Sequence, residues 1–133
     1  MVDDVGFELQ LDRPQCLALL RTATLGRVIF THRAMPAVRP VRFAVVGDAV
    51  VFAVPSESAL YAGAHDAVVA FEADEFEAGL GGGWYVSLLG RATESAAVDV
   101  AEIACSCPAR AGLRFLRIPA ETITGHRIAC HTQ

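Results

Sequence analysis

The sequence predicts a mainly β single domain spanning residues 1–133: a six-stranded antiparallel barrel with a few short helices on its flanks. Three observations predict it. Runs rich in Val, Ile, Phe and Tyr recur along most of the chain, each bounded by Gly, Pro, Asp or Ser. Successive runs are joined by short turns, which suits antiparallel pairing. A length of 133 residues suits one domain, and closing the sheet into a barrel removes the edges that so many strands would otherwise expose.

The elements follow in order. Residues 12–22, "DRPQCLALLRT", read as a helix. Asp12 is a good N-cap, Gln15 completes a capping-box pattern, and Pro14 falls in the first turn, where a missing N–H costs little. Leu11, just before the cap, is placed to staple onto Cys16. "LGRVIFT" (25–31) is β-branched and aromatic and reads as the first strand. "HRAMP" is a turn, and "AVRPVRFAVV" (37–46) is the second strand. Pro40 within it implies an edge, a bulge, or a place where a ligand replaces the neighbouring strand. "GD" at 47–48 turns into the third strand, "AVVFAVP" (49–55). "SESALYAGAH" (56–65) reads as a short helix capped by Ser56 or Ser58. "AVVAFEADEF" (67–76) and "WYVSLLGRATES" (84–95) are the fourth and fifth strands, separated by the loop "EAGLGGG". "AAVDVAEIAC" (96–105) reads as a helix and "CPARAG" as a loop. "LRFLRIPAETITGHRIA" (113–129) closes the chain as one or two strands around Pro119.

Composition narrows the function classes. The formal charge is −4, and all eleven basic residues are Arg. A general nucleic-acid binder gains its affinity from phosphate neutralisation, so that class is not expected. No apolar run approaches the ~20 residues of a membrane span. "MVDDVGFELQ" has acids where a secretory leader needs bases, so the expected location is the cytoplasm. A hydrophobic content of 53% suggests extra buried surface, such as a subunit interface or a cofactor pocket. Cys16, Cys105, Cys107 and Cys130 lack redox or zinc spacing and read as ordinary thiols. No metal site is expected.

The motifs carry little catalytic signal. "GLGGG" (79–83) is followed by a strand, whereas a phosphate loop needs a helix after it, so a hairpin loop is expected. Glu72 and Asp74 share one strand face and read as a solvated surface. The stretch "RPVRFAVVGDAVVFAVPSES" (39–58) says more. Extended geometry puts Arg39, Val41 and Phe43 on one face and Pro40 and Arg42 on the other. Hydroxyls and free N–H groups at the following helix start, with an arginine beside them, suit a phosphate. The apolar strand surface suits a flat ring. A plain hairpin followed by a capped helix has the same pattern.

The order of "LGRVIF", "PAVRPVRFAVVGDAVVFAVPSESAL", "VAFEADEFE", "GGGWYVSLLGRATE" and "FLRIPAETITGHRI" resembles the pyridoxamine 5'-phosphate oxidase-like flavin-binding split barrels. The resemblance covers about residues 12–128 and looks like the short members of the kind actinobacteria carry. It implies a six-stranded split β-barrel, a homodimer with FMN at its interface, and two-electron redox of a small organic substrate. Matched by position, Arg39, Pro40, Val41, Arg42 and Phe43 resemble the strand along the isoalloxazine. Phe52, Ala53, Val54, Ser56 and Ser58 resemble the stretch that meets the pyrimidine edge and the phosphate. Trp84 resembles an aromatic contributed from the other subunit, or else a plain interface aromatic. The family implies no catalytic side chain, since flavin hydride transfer needs none. One departure stands out: many members carry Lys or Arg just after the Ser of this stretch, and here the residue is Ala59. Lost charge-assisted bonds cost roughly 1.5–3 kcal/mol each. A deazaflavin-dependent reductase and a flavin-free binding or regulatory module therefore stand as alternatives. The short C-terminal segment does not resemble that of the vitamin-making oxidase. Some short members are flavin reductases acting on nitroaromatic or other acceptors.

Overall fold

The computed structural model describes residues 7–77, 79, 81–95 and 112–129. The predicted helix at 96–105, most of the loop after it, and Cys105, Cys107 and Cys130 lie outside these residues. In chain order the elements are β1 (Phe7–Leu11), α1 (Arg13–Leu20), β2 (Leu25–His32), β3 (Met35–Val46), β4 (Ala49–Pro55), α2 (Ala59–Ala64), β5 (Val68–Glu77), β6 (Gly82–Arg91), β7 (Thr93–Glu94), β8 (Leu113–Pro119) and β9 (Thr122–Ala129).

The fold is mainly β and antiparallel, as predicted, but the described strands number nine rather than six. They form one curled sheet in the order β1-β9-β6-β5-β2-β3-β4-β8-β7. The three extra strands have separate origins. β1 has no local turn partner and pairs only with β9, from Phe7 opposite Ala129 to Leu11 opposite Gly125. The predicted fifth strand breaks at Ala92, whose N–H bonds Ala67 and whose carbonyl accepts from Asp66; this leaves β7 as a two-residue strand on β8. The final stretch folds back at Ala120 and Glu121 into β8 and β9, which pair with different neighbours.

Local rules explain the connections. Gly47, at φ +63°, and Asp48 form a two-residue turn between β3 and β4. Arg33 and Ala34 form another between β2 and β3; both have positive φ, a strained setting for residues with a Cβ. The capping box at α1 is complete: Gln15 N–H donates to Asp12 Oδ1 and Asp12 N–H to Gln15 Oε1, both at 2.9 Å. Cys16 and Leu20 of α1 are buried, and α1 packs on β9 at Gly125, where an added Cβ would sit 2.6 Å from Cys16 Sγ.

Alternation fills the curl. Val28 and Phe30 of β2, Val69, Phe71 and Ala73 of β5, and Val86 and Leu88 of β6 point inward and are buried. Phe43 meets Phe71 edge to face at 4.8 Å. Fully burying each such side chain contributes about 1.5–3 kcal/mol. The curl tightens where β6 meets β8: at Gly90 a Cβ would lie 2.5 Å from the Pro119 carbonyl oxygen. β4 is buried on both faces, with Val50, Phe52 and Val54 in the main core and Val51 in a smaller outer cluster with Ala44, Val46, Ala53 and Phe115.

Candidate functional site

The long strand β3 changes partner halfway. Met35 to Arg42 pair with β2, while Phe43 to Val46 pair with β4. β4 therefore diverges from the first half of β3, and the fork opens into a cleft of about 340 Å³. Arg39, Pro40, Val41 and Arg42 form one wall, and Ala53, Pro55, Ser58 and Leu60 the other. Pro40 sits in β3 at this fork, the edge-type position its missing N–H requires.

Both arginines border this one cleft from opposite faces of β3, as strand alternation predicts: Arg39 stands across from the buried Val28 and Arg42 from the outward Leu25. Both are exposed. Arg39 donates only to the adjacent Val38 carbonyl, and no hydrogen bond or ion pair from Arg42 occurs among the described residues. Two unpaired guanidinium groups beside an apolar wall can take a dianion through charge-assisted bonds.

The remaining predicted site residues fall elsewhere. Phe43, Phe52 and Val54 are buried in the core, so their side chains do not line the cleft. Ser56 contributes its backbone N–H to the Gly112 carbonyl at 2.6 Å. Ser58 is the α2 N-cap: its hydroxyl accepts from Tyr61 N–H at 3.1 Å and donates to the Pro55 carbonyl at 2.7 Å. That hydroxyl is already engaged, and α2 has only six residues. Any anion at the fork is therefore left to Arg39 and Arg42. Trp84 is buried and lines a second cleft, between β5, β6 and β9. Two strands of the sheet separate β6 from β3.

Several other charged groups are engaged. Arg27 donates to Glu72 at 3.2 Å and Asp74 at 2.7 Å across the outer face. Its guanidinium is buffered upward: partial burial works against the charge, and the hydrogen bond and charge of Asp74, then Glu72, outweigh it. Glu94 accepts from Tyr61 Oη and from Arg114 Nη1, each at 2.7 Å. The Tyr61 hydrogen bond, then Arg114, holds the Glu94 carboxyl below its ordinary range against a desolvation that pushes the other way. The same bond to Glu94 raises the Tyr61 phenol. This clasp ties α2 to β7 and β8; no feature of the sequence flagged it, because its members are 33 and 53 positions apart. Among the described residues no group of three or more His, Cys, Asp or Glu could hold a metal. No described helix is long and apolar enough to cross a membrane.

A curled antiparallel sheet forked at one long strand, with a charged cleft in the fork, defines a split-barrel protein. A family model described as "Pyridoxamine 5'-phosphate oxidase" matches residues 12–127, and the chain belongs to that family. It is 38% identical over 94 residues to protein Rv0080 of Mycobacterium tuberculosis, covering 65% of this chain and 60% of that protein. The match thus spans about three fifths of that relative's length. Among solved structures it is similar to the FAD binding protein from Mycobacterium smegmatis, with 26% identity, 91% and 98% of the two chains covered, and a TM-score of 0.73. A FAD-binding protein from Mesorhizobium loti has a TM-score of 0.74 over 93% and 98% of the chains, and its 18% identity shows the shared fold alone.

Proposed function

We propose that this protein is a flavin-binding oxidoreductase, with FMN seated in the fork and two electrons exchanged with a small organic molecule. The observation that carries this reading is the pairing of two uncommitted arginines with an apolar wall in one cleft. Arg39 and Arg42 would hold the phosphate, in place of the base that Ala59 does not supply. Pro40, Val41, Ala53 and Leu60 would face the ring system and exclude water from one side of it. A bound flavin supplies the hydride chemistry, and the protein positions it. The two arginines equally suit a diphosphate, and the similar Mycobacterium smegmatis protein binds FAD, so FAD is the second reading.

The cleft is at the small end for a ligand site, so it would leave part of a flavin uncovered. A second copy would cover it. Five of the seven exposed large hydrophobic side chains, Leu25, Val38, Val68, Phe76 and Leu89, lie on the outward face of β2, β3, β5 and β6. Val38, Ile29, Ala70 and Leu89 stand in one cross-strand row there. A homodimer through this face would bury that row.

The test is the visible spectrum of the purified protein, repeated after soaking with FMN or FAD and desalting. A retained flavin band, with a dimer by sedimentation, is the expected result. No band after either soak overturns the flavin reading.

A further inference from the structure

The second cleft has a volume of about 330 Å³, close to that of the fork, and nothing in the flavin reading uses its charges. Its residues come from strand register. Glu75, Trp84, Arg127 and Leu9 stand in one cross-strand row over β5, β6, β9 and β1. Two positions along, Glu77 stands opposite Gly82 and Gly82 opposite Ala129; these small residues line a shelf of the cleft, with Gly82 packed so closely on β9 that an added Cβ would lie 2.7 Å from the Ile128 carbonyl oxygen.

Three features of this shelf point to a ligand. Glu75, Glu77 and Arg127 are exposed, and none makes an ion pair or hydrogen bond among the described residues. Trp84 is 93% buried by its 7% exposure, yet its indole N–H finds no partner among the described residues and is not sealed from solvent. The acid and the base form no ion pair with each other among the described residues; their backbones flank β6 from either side, two strand spacings or roughly 9.5 Å apart.

We infer that this cleft binds a small amino-carboxylate zwitterion. Its carboxylate would be taken by Arg127 and the Trp84 indole N–H, and its ammonium by Glu75 and Glu77. The acid and the base stand on opposite sides of the indole, so a small ligand with one charge of each sign can reach both. The apolar surface of Leu9 and Ile128 borders the shelf and suits an aliphatic side chain. The inference concerns a different cleft from the flavin reading, and its test needs no flavin.

Trp84 is the single tryptophan of the chain, so its indole gives one N–H signal in a nitrogen–proton correlation spectrum. The full chain is titrated with L-leucine, with 4-methylpentanoate (no ammonium), and with 3-methylbutylamine (no carboxylate). The indole signal is expected to shift saturably with leucine at millimolar concentration, and at least tenfold more weakly with either analogue. Arg127→Gln and the double variant Glu75→Gln, Glu77→Gln are each expected to weaken leucine at least tenfold with unchanged circular dichroism. An unsaturable shift, an equal response to all three compounds, or full affinity in the folded variants overturns the proposal. A protein that retains no flavin but passes this titration overturns only the reading of the fork.

Discussion

Two arginine settings lie a few ångströms apart on one hairpin and behave oppositely. Arg27 of β2 stands opposite Pro40 of β3, and its guanidinium is taken up by Glu72 and Asp74 of β5. Arg39 and Arg42, on the other strand of that hairpin, have no acidic partner among the described residues. The difference comes from sheet order. β2 is flanked by β5, whose outward positions carry carboxylates. The first half of β3 has β2 on one side and the open fork on the other. In this hairpin the charge beside the paired strand is absorbed by structure, and the charges beside the unpaired edge are left for a ligand.

The widest separation between the two settings is expected in ligand affinity. Arg39→Ala and Arg42→Ala each remove a charge-assisted partner, worth about 1.5–3 kcal/mol, or roughly tenfold to a hundredfold in the FMN dissociation constant. Neither supports the fold, so the thermal midpoint of the apoprotein should stay put. Fluorescence titration of flavin into each variant measures this. Unchanged affinity in both variants would remove the arginines from the site and sink the contrast.

Arg27→Ala should do the reverse. An ion pair about one-third exposed contributes only about 0.2–1 kcal/mol after solvent screening, so a small loss of stability in urea is expected at low salt. It should shrink further at high salt, where the Debye length falls to about 3 Å at 1 M. FMN affinity should not change. A tenfold loss of flavin binding in Arg27→Ala would mean that the outer-face network reaches the ligand, contrary to the division drawn above.

This contrast was only partly legible in the sequence. The capping box of α1 and the turn at Gly47 and Asp48 are local patterns, and both could be read directly. The two arginines of β3 could be singled out and their opposite faces read from alternation, but that both border one fork follows only from where β3 changes partner. β4 hid more. "AVVFAVP" is apolar throughout, so nothing in it reveals which side chains face the core. Phe52 and Val54 prove to be interior while Ala53 and Pro55 line the cleft. β1 was missed because its pairing with β9 spans almost the whole chain. Trp84 carried a family resemblance, but only the sheet order reveals that it sits in a cleft of its own.

The smallest expected effect separates the fork from the clasp behind it. Tyr61, Glu94 and Arg114 hold α2, which carries Ser58 and Leu60 into the cleft wall. Hydrogen bonding from Tyr61, then from Arg114, lowers the Glu94 carboxyl. A carboxyl lowered on folding contributes stability above its unfolded value, near 4.3, and loses it as pH falls through the lower folded value. The clasp is therefore intact at neutral pH and loosens in acid. On the alkaline side the raised Tyr61 phenol keeps its contribution below the ordinary tyrosine range and loses it as pH rises through the folded value. Thermal midpoints of wild type and Glu94→Gln measured across pH should differ by a small constant amount near neutrality. The gap should close in acid, where the wild-type carboxyl becomes protonated. A gap that instead persists undiminished in acid would mean that Glu94 acts through packing rather than charge. α2 would then be held by its buried Leu60 and Ala64 alone.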